Sequence, residues 1–360
     1  LTMTGDVMII DRPDNRPFDQ YPRNVAKRAI AYMQETGIAD EMIIGPEFEF
    51  HVFDNVSYQT LPHSVGYTVD TQEADWNSGN PYDNNGYQTP HKGGYHIDKP
   101  QDITSDLRSR MCLMLEDMGV GVKYHHREVG GCGQLEIEVE LGEMTKMADA
   151  TMTVKYIIKN AAAQAGKTAT LMPKPVRDEA GNGMHVHMLP HAGAICGITN
   201  PSTNSFRRLV PGFEAPVTIG YAMANRSAVV RIPAYAKSPK AKRFELRNPD
   251  ATCNPYYAYA AILMAGLDGI ANKIDPHAMG WGPFDFNLFD LSDEEKAKIK
   301  GLPKSLEEAL DALESDYEFL TRGGVFPERL IKIWIQRKRK EAEAIARIPH
   351  PAEFQKYYDL

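Results

Sequence analysis

Five stretches of this chain set ionisable side chains two residues apart, with apolar or aromatic residues between or beside them. They are Glu47-Phe48-Glu49, the run Gln134 to Glu140, His185-Val186-His187, Arg226 to Arg231, and Arg243-Phe244-Glu245-Leu246-Arg247. A β-strand has a side-chain period of two, so each pattern places charge on one face and apolar surface on the other. One such strand is an ordinary solvated face. Several together, some rich in Glu and others in His or Arg, predict a sheet whose polar face lines a cavity. That cavity would hold cations beside carboxylates and anions beside arginines. Divalent metals with a phosphate meet both needs.

At 360 residues the chain can bury a sizeable core and has room for two domains. Its 42% apolar and 24% charged residues are those of a soluble globular protein. The net charge of −8, with both signs spread along the chain, argues against a nucleic-acid surface but leaves a nucleotide in a pocket possible. Cys112, Cys132, Cys196 and Cys253 are scattered, which reads as reduced thiols in a cytoplasmic protein. No signal-peptide pattern is read, and no membrane contact is expected. The longest apolar run, Tyr256 to Leu267, falls short of the ~20 residues of a membrane span and predicts a buried helix.

Along the chain, Asp6 to Ile10 reads as a strand and Pro22 to Thr36 as an amphipathic helix ending at Gly37. Glu41 to Phe53 reads as a strand. Residues 54–95, rich in Asn, Gly, Tyr and Pro, have weak periodicity and read as a long functional loop. Helices are expected at Asp102 to Met118 and Thr145 to Gly166, and strands at 168–172, 184–189, 227–232 and 243–247. From Pro255 onward the pattern is mainly helical. Strands first and helices after predict an α+β fold with a curved antiparallel sheet and a helical C-terminal part.

Several constellations point to chemistry. Glu47 and Glu49 share one face of their strand, with Phe48 and Phe50 on the other. A buried carboxylate there needs a partner, because an uncompensated buried charge is costly. His125-His126-Arg127-Glu128 leads into a turn with Gly130, Gly131 and Gly133, then Glu136, so Glu128 and Glu136 can converge on a metal. Gly181-Asn182-Gly183 precedes His185 and His187 on one face. Carboxylates with an imidazole suit Mg²⁺ or Mn²⁺ better than structural zinc. Arg207, Arg208, Arg226, Arg231, Arg243 and Arg247, with Lys240 and Lys242, offer forks for carboxylate and phosphate. Gly166-Lys167-Thr168 is not a P-loop, since position 161 is Ala and a helix precedes it. Neither a nucleophile elbow nor a dinucleotide-binding fingerprint is present.

Taken in order, the motifs resemble the catalytic domain of a bacterial-type (type I) glutamine synthetase over nearly the whole chain. The resemblance is carried by Gly45 to Phe50, Lys92-Gly93-Gly94-Tyr95, His126-Arg127-Glu128, Gly133 to Glu136, Gly166 to Ala169 with Pro173-Lys174-Pro175, and Gly181 to His185. It continues through Asn200 to Ser205, Arg208 to Pro216, Asn225-Arg226-Ser227, Glu245 to Asp250 and Asn254-Pro255-Tyr256. It implies ATP-dependent ligation of ammonia to the γ-carboxylate of glutamate through γ-glutamyl phosphate.

The resemblance further implies two metal positions, filled by Mg²⁺ or Mn²⁺. Glu49, Glu128 and Glu136 match the one facing glutamate and ammonium. Glu47, His185 and Glu245 match the one facing the ATP phosphates. Gly181, Arg208 and Arg247 match glutamate-binding positions. His187, Arg231, Lys240 and Arg243 match positions around ATP, and Arg226 one near the transferring phosphate. Tyr95 and Glu128 match the ammonium pocket, and Glu214 lies on a flap expected over residues 200–216. The implied assembly is a homo-oligomer, a dodecamer of two stacked hexameric rings, with barrel-like funnels completed by the neighbouring subunit.

Three departures stand beside this likeness. The family's small N-terminal β-grasp domain is not read in these 360 residues, which correspond to a catalytic domain divided into 1–290 and a helical 291–360. Met188-Leu189-Pro190-His191 looks like a splice across a missing loop. Phe289 stands where adenylylated members carry a Tyr, so adenylylation there is not expected. Two other family activities remain open: ligation of glutamate to a polyamine or methylamine, and a non-catalytic structural role. Intact Glu and His at all six metal positions weigh against the latter.

Overall fold

The computed structural model describes residues 4–10, 13–82, 84–185, 191–210, 215–223, 225, 228–233, 238, 243–286, 294 and 299–358. Strands β1 (Met8–Ile9) and β2 (Arg16–Pro17) form a short antiparallel pair ahead of helix α1 (Pro22–Glu35). Next come β3 (Ile43–Ile44), β4 (Glu47–Phe53), and a hairpin of β5 (Asn55–Leu61) and β6 (Ser64–Asp70). Helix α2 (Ser105–Asp117) precedes β7 (Val122–Arg127), β8 (Gln134–Val139) and β9 (Gly142–Glu143). Helix α3 (Met144–Gln164), β10 (Thr168–Thr170), α4 (Ala192–Thr199) and α5 (Ser205–Arg208) follow. Then come β11 (Thr218–Ala222), β12 (Ala228–Arg231) and β13 (Glu245–Leu246). The rest is helical: α6 (Pro255–Ala271), α7 (Leu306–Ser315), α8 (Glu318–Thr321), α9 (Glu328–Ala346) and α10 (Pro351–Tyr357).

The central sheet runs β10-β4-β8-β7 and is antiparallel throughout. Its apolar face carries Phe48, Phe50, Val52, Leu135, Ile137 and Val139, each no more than 2% exposed. Each such side chain contributes roughly 1.5–3 kcal/mol on burial. This face joins one core with α1, α2, α3 and α6. Helix α6 is buried along most of its length, as the apolar run predicts. Pro255 opens it, and the Asn254 side chain accepts the Tyr256 and Tyr257 N–H groups at 3.1 and 3.3 Å. Tyr256 then donates to Asp149 at 2.6 Å, and Asp149 also accepts from Arg23 at 3.0 Å, tying α6 to α3 and α1.

The α+β expectation holds, and no helix among the described residues is long and apolar enough to cross a membrane. The four cysteines are buried and unbridged. Other details differ. Glu41 to Phe53 is two strands, broken at Gly45-Pro46, because Pro46 has no N–H for the ladder. Residues 54–95 contain the β5–β6 hairpin. Both of its faces are largely solvated, so no alternation of polarity announces it. His185 lies on irregular backbone rather than in a strand. Strands β11 and β12 run parallel, so the second sheet is not all antiparallel. Periodicity reports which face a residue takes and carries no strand direction. Among the described residues of the single chain the sheets do not close into a barrel.

Candidate active site

The polar face of the central sheet is built row by row from strand register. Glu47 on β4 stands opposite Glu138 on β8, which stands opposite Tyr124 on β7. One row along, Glu49 stands opposite Glu136, and Glu136 opposite His126. Like charges directly opposite in a sheet are destabilising. Here they are also buried, with Glu49, Glu136 and Glu138 between 5 and 8% exposed.

Two groups of ligand-type side chains converge on this face. Glu47, His185 and Glu245 come from β4, the loop after β10, and β13, and their ligand atoms lie within 4.8 Å of one another. His185 Nδ1 is 2.9 Å from Glu47 and 3.7 Å from Glu245. This is the trio matched in the sequence to the phosphate-facing metal. The second group is His126, Glu128 and Glu136. It contains two of the three residues expected at the other metal, with His126 where Glu49 was expected.

Glu49 sits between the groups. It accepts the Gly183 N–H at 2.5 Å and lies 3.7 Å from His185 Nε2. The signal for His126 was present in the sequence, two residues before Glu128 and near the end of a strand of period two. Glu138 was legible in the same way and was passed over.

The electrostatics fit a cation site. Burial, then the Glu138 charge, raises the Glu47 carboxyl above its usual range. Burial likewise raises Glu49, partly offset by His185 and Arg208. Glu136 is raised furthest, by burial and then by the charges of Glu47, Glu128 and Glu49. His185 is held neutral, its pKa lowered to about 4 by burial and then by Arg247. A neutral imidazole beside carboxylates is a donor set for a hard divalent cation, which would supply the missing positive charge.

The arginines do varied work. Arg247 and Arg231 grip the two oxygens of Glu245 at 2.6 and 2.8 Å. Arg208 directs its guanidinium to the carbonyls of Asn248, Arg247 and Pro249 at 2.9, 3.0 and 3.3 Å, and lies 3.4 Å from His185. A Cβ on Gly183 would meet both Arg208 Nη2 and His185 Nε2 at about 2.5–2.6 Å, so any larger residue there would displace these side chains. Gly181 abuts the Arg208 stem. Arg243 lies just before β13. Glu214, Arg226, His187 and Lys240, together with Phe289 and residues 188–190, lie outside the described residues.

Tyr95 is 47% exposed and packs edge-on to His126, with ring centroids 5.7 Å apart. Its loop is clamped against the glycine turn. A Cβ on Gly94 would overlap the Glu128 carbonyl oxygen, and one on Gly131 the Pro90 carbonyl. Glu179, 3% exposed, locks the clamp by accepting from the Lys92 N–H at 2.8 Å and the Gly131 N–H at 3.2 Å. No sequence pattern marks Glu179, because its partners are brought together only by folding. His51, Gln134 and Asn182 are a further buried polar group that sequence reading missed.

The sequence profile of the "Glutamine synthetase, catalytic domain" family matches residues 19–189 and 188–357. The chain is 46% identical to the glutamine synthetase of Pasteurella multocida, over 95% of this chain and 78% of that protein. It is 44% identical to the glutamine synthetase of Frankia alni, over 100% and 82%. At 42% identity, over 100% and 82%, it is similar to a protein of Cupriavidus pinatubonensis named 3-hydroxylaminophenol mutase. Among solved structures it superposes on a cryo-electron microscopy structure of Plasmodium falciparum glutamine synthetase with a TM-score of 0.84. That match is 29% identical and covers 98% of this chain and 84% of that one.

Proposed function

Because this chain belongs to the glutamine synthetase family through its catalytic domain, we propose that the carboxylate-lined sheet face is where it joins ammonia to the γ-carboxylate of glutamate with ATP. The chain is a glutamate–ammonia ligase. The observation that carries the site assignment is the convergence of Glu47, His185 and Glu245 from three separate elements beside His126, Glu128 and Glu136.

Two Mg²⁺ or Mn²⁺ ions would be held there, one by Glu47, His185 and Glu245, the other by Glu49, Glu128 and Glu136. Bound, they would neutralise the ATP phosphates and the glutamate carboxylate, which otherwise repel each other. The chain's own groups do the rest. Gly181, Arg208 and Arg247 hold glutamate. Arg231, Arg243, His187 and Lys240 surround ATP, and Arg226 faces the transferring phosphoryl group. In-line transfer gives γ-glutamyl phosphate, whose phosphate leaves readily. Tyr95 and Glu128 attract ammonium, and Glu128 takes the proton that must leave before nitrogen can attack. Glu214, on the flap, excludes water that would hydrolyse the acyl phosphate.

The 47% exposure of Tyr95 supports an assembly in which a neighbouring subunit completes the site. A heterologous contact repeated around a ring, as in a dodecamer of two stacked hexamers, meets that need. A missing loop near 188–191 is supported by the family match, which falls into two segments meeting at 188–189. The alignment with the Frankia alni protein points the same way, running over 392 positions against 360 residues here.

The test is phosphate release from ATP with glutamate and Mg²⁺, with and without ammonium, on the intact gene product. Ammonium-dependent release that disappears in Glu128→Ala and Glu245→Ala supports the reading. Release with a polyamine or methylamine and none with ammonium moves the chain to the amine ligases. No release with any acceptor from an assembled ring favours a structural role.

A further inference from the structure

Behind the glutamate side of the site lies a buried polar relay to which the ligase chemistry assigns no role. His51 and Asn182 are 0% exposed and Gln134 is 1% exposed. Asn182 Nδ2 donates to the Met172 carbonyl at 2.8 Å, which turns its Oδ1 inward. That oxygen accepts from His51 Nδ1 at 2.9 Å and from Gln134 Nε2 at 3.1 Å. Gln134 Nε2 also donates to the Gly181 carbonyl at 2.9 Å, and its Oε1 accepts the Gly130 N–H at 2.8 Å. The network has one self-consistent orientation. Flipping the Asn182 amide would set its NH₂ against that of Gln134 and its oxygen against the Met172 carbonyl.

His51 is the member whose presence needs a reason. It follows Glu47 and Glu49 on the same face of β4, and its ring stacks on Phe53 with centroids 5.6 Å apart. Its Nε2 is buried with no hydrogen-bond partner. Leaving a buried polar atom unsatisfied is costly, and a phenylalanine of similar shape would avoid that cost. What phenylalanine cannot supply is the Nδ1–H aimed at Asn182. Asn182 in turn lies between Gly181, whose carbonyl faces Gln134, and Gly183, whose N–H binds Glu49.

We propose that His51 is a positioning residue for glutamate, its Nδ1–H fixing Asn182 and thereby the Gly181 carbonyl and Gly183 amide, while Gln134 extends the same constraint to Gly130 in the turn beside Glu128. The relay thus holds the glutamate and ammonium halves of the site in register. This rests on the assignment of Gly181 to glutamate binding.

The experiment compares wild type, His51→Phe and His51→Asn as intact assembled protein. Glutamate, ATP and ammonium are varied separately, and the melting temperature of each protein is recorded. His51→Phe is expected to raise KM for glutamate about tenfold, as loss of one buried hydrogen bond implies, with KM for ATP within about twofold. Its melting temperature stays at or above that of wild type. His51→Asn, whose amide nitrogen can stand where Nδ1 stands, recovers most of the glutamate affinity. The proposal is overturned by an unchanged glutamate KM in His51→Phe, by equal rises for glutamate and ATP that track a loss of stability, or by His51→Asn behaving like His51→Phe. If His51→Phe does not assemble, Asn182→Ala removes the acceptor and keeps the ring. The same glutamate-specific rise supports the relay, and a wild-type KM overturns it. A wild-type protein that releases no phosphate sinks the ligase reading itself. An active wild type with an unaltered His51→Phe sinks only this proposal.

Discussion

Glu49 and Glu136 stand directly opposite each other on adjacent antiparallel strands, both at least nine-tenths buried. Without a cation between them the pair opposes folding, so the proposed metal binding would be linked to folding. Saturating Mn²⁺ or Mg²⁺ should therefore stabilise the protein, by about 2.7 kcal/mol at a hundredfold excess over Kd. Glu136→Gln should melt no lower than wild type in EDTA and gain much less from metal. Thermal melts with and without metal measure both effects, and an identical metal gain in the variant would contradict the linkage.

Glu128 combines a proposed metal-ligand position with the proposed deprotonation of ammonium. Glu128→Ala should lower the ammonium-dependent rate by ~10²–10⁴-fold, the usual range for a lost general base. Initial rates across ammonium concentrations and pH check this. Recovery of the rate by pre-deprotonated ammonia at high pH would separate the base role from the ligand role.

Gly94 touches the backbone of the turn that begins at Glu128 so closely that a methyl group has no room beside the Glu128 carbonyl. Gly94→Ala should cost about 1–3 kcal/mol of stability through forced backbone shifts. It should also weaken ammonium binding while leaving ATP binding near normal. Chemical denaturation together with separate KM values tests the pairing of these two effects.

Asp102 and Arg108 form an ion pair away from the site, with both residues 3% exposed and Nη2 2.5 Å from Oδ2. Burial alone would raise the Asp102 carboxyl, but the Arg108 hydrogen bond and charge outweigh it, and the net pKa lies below the ordinary 3.8. A depressed carboxyl contributes stability that is fully present above 3.8 and is lost as pH falls below it. Asp102→Ala should cost ~3–5 kcal/mol at pH 7 by stranding the Arg108 charge. Stability of wild type and variant should then converge as pH drops below 3.8. Urea denaturation at pH 7 and in the acid range reads this directly.

Much of the site was legible in the sequence because strand periodicity is local physics. Glu47 with Glu49, and Glu136 with Glu138, share a face whatever the rest of the chain does, and Phe48, Phe50, Leu135 and Ile137 must then face the core. Helices α1, α3 and α6 were likewise set by caps, punctuation and apolar spacing. Only the tertiary structure decided which carboxylates meet. Register between β4 and β8 put Glu49 against Glu136, and the crossing of β13 and the 181–185 loop brought Glu245 and His185 to Glu47. The same holds for the Glu179 clamp and the His51–Asn182–Gln134 relay. Gly131 lies 48 positions from Glu179, Gln134 48 from Asn182, and His51 131 from Asn182. A pattern read along the chain reports which way a side chain points, and long-range packing alone determines what it finds there.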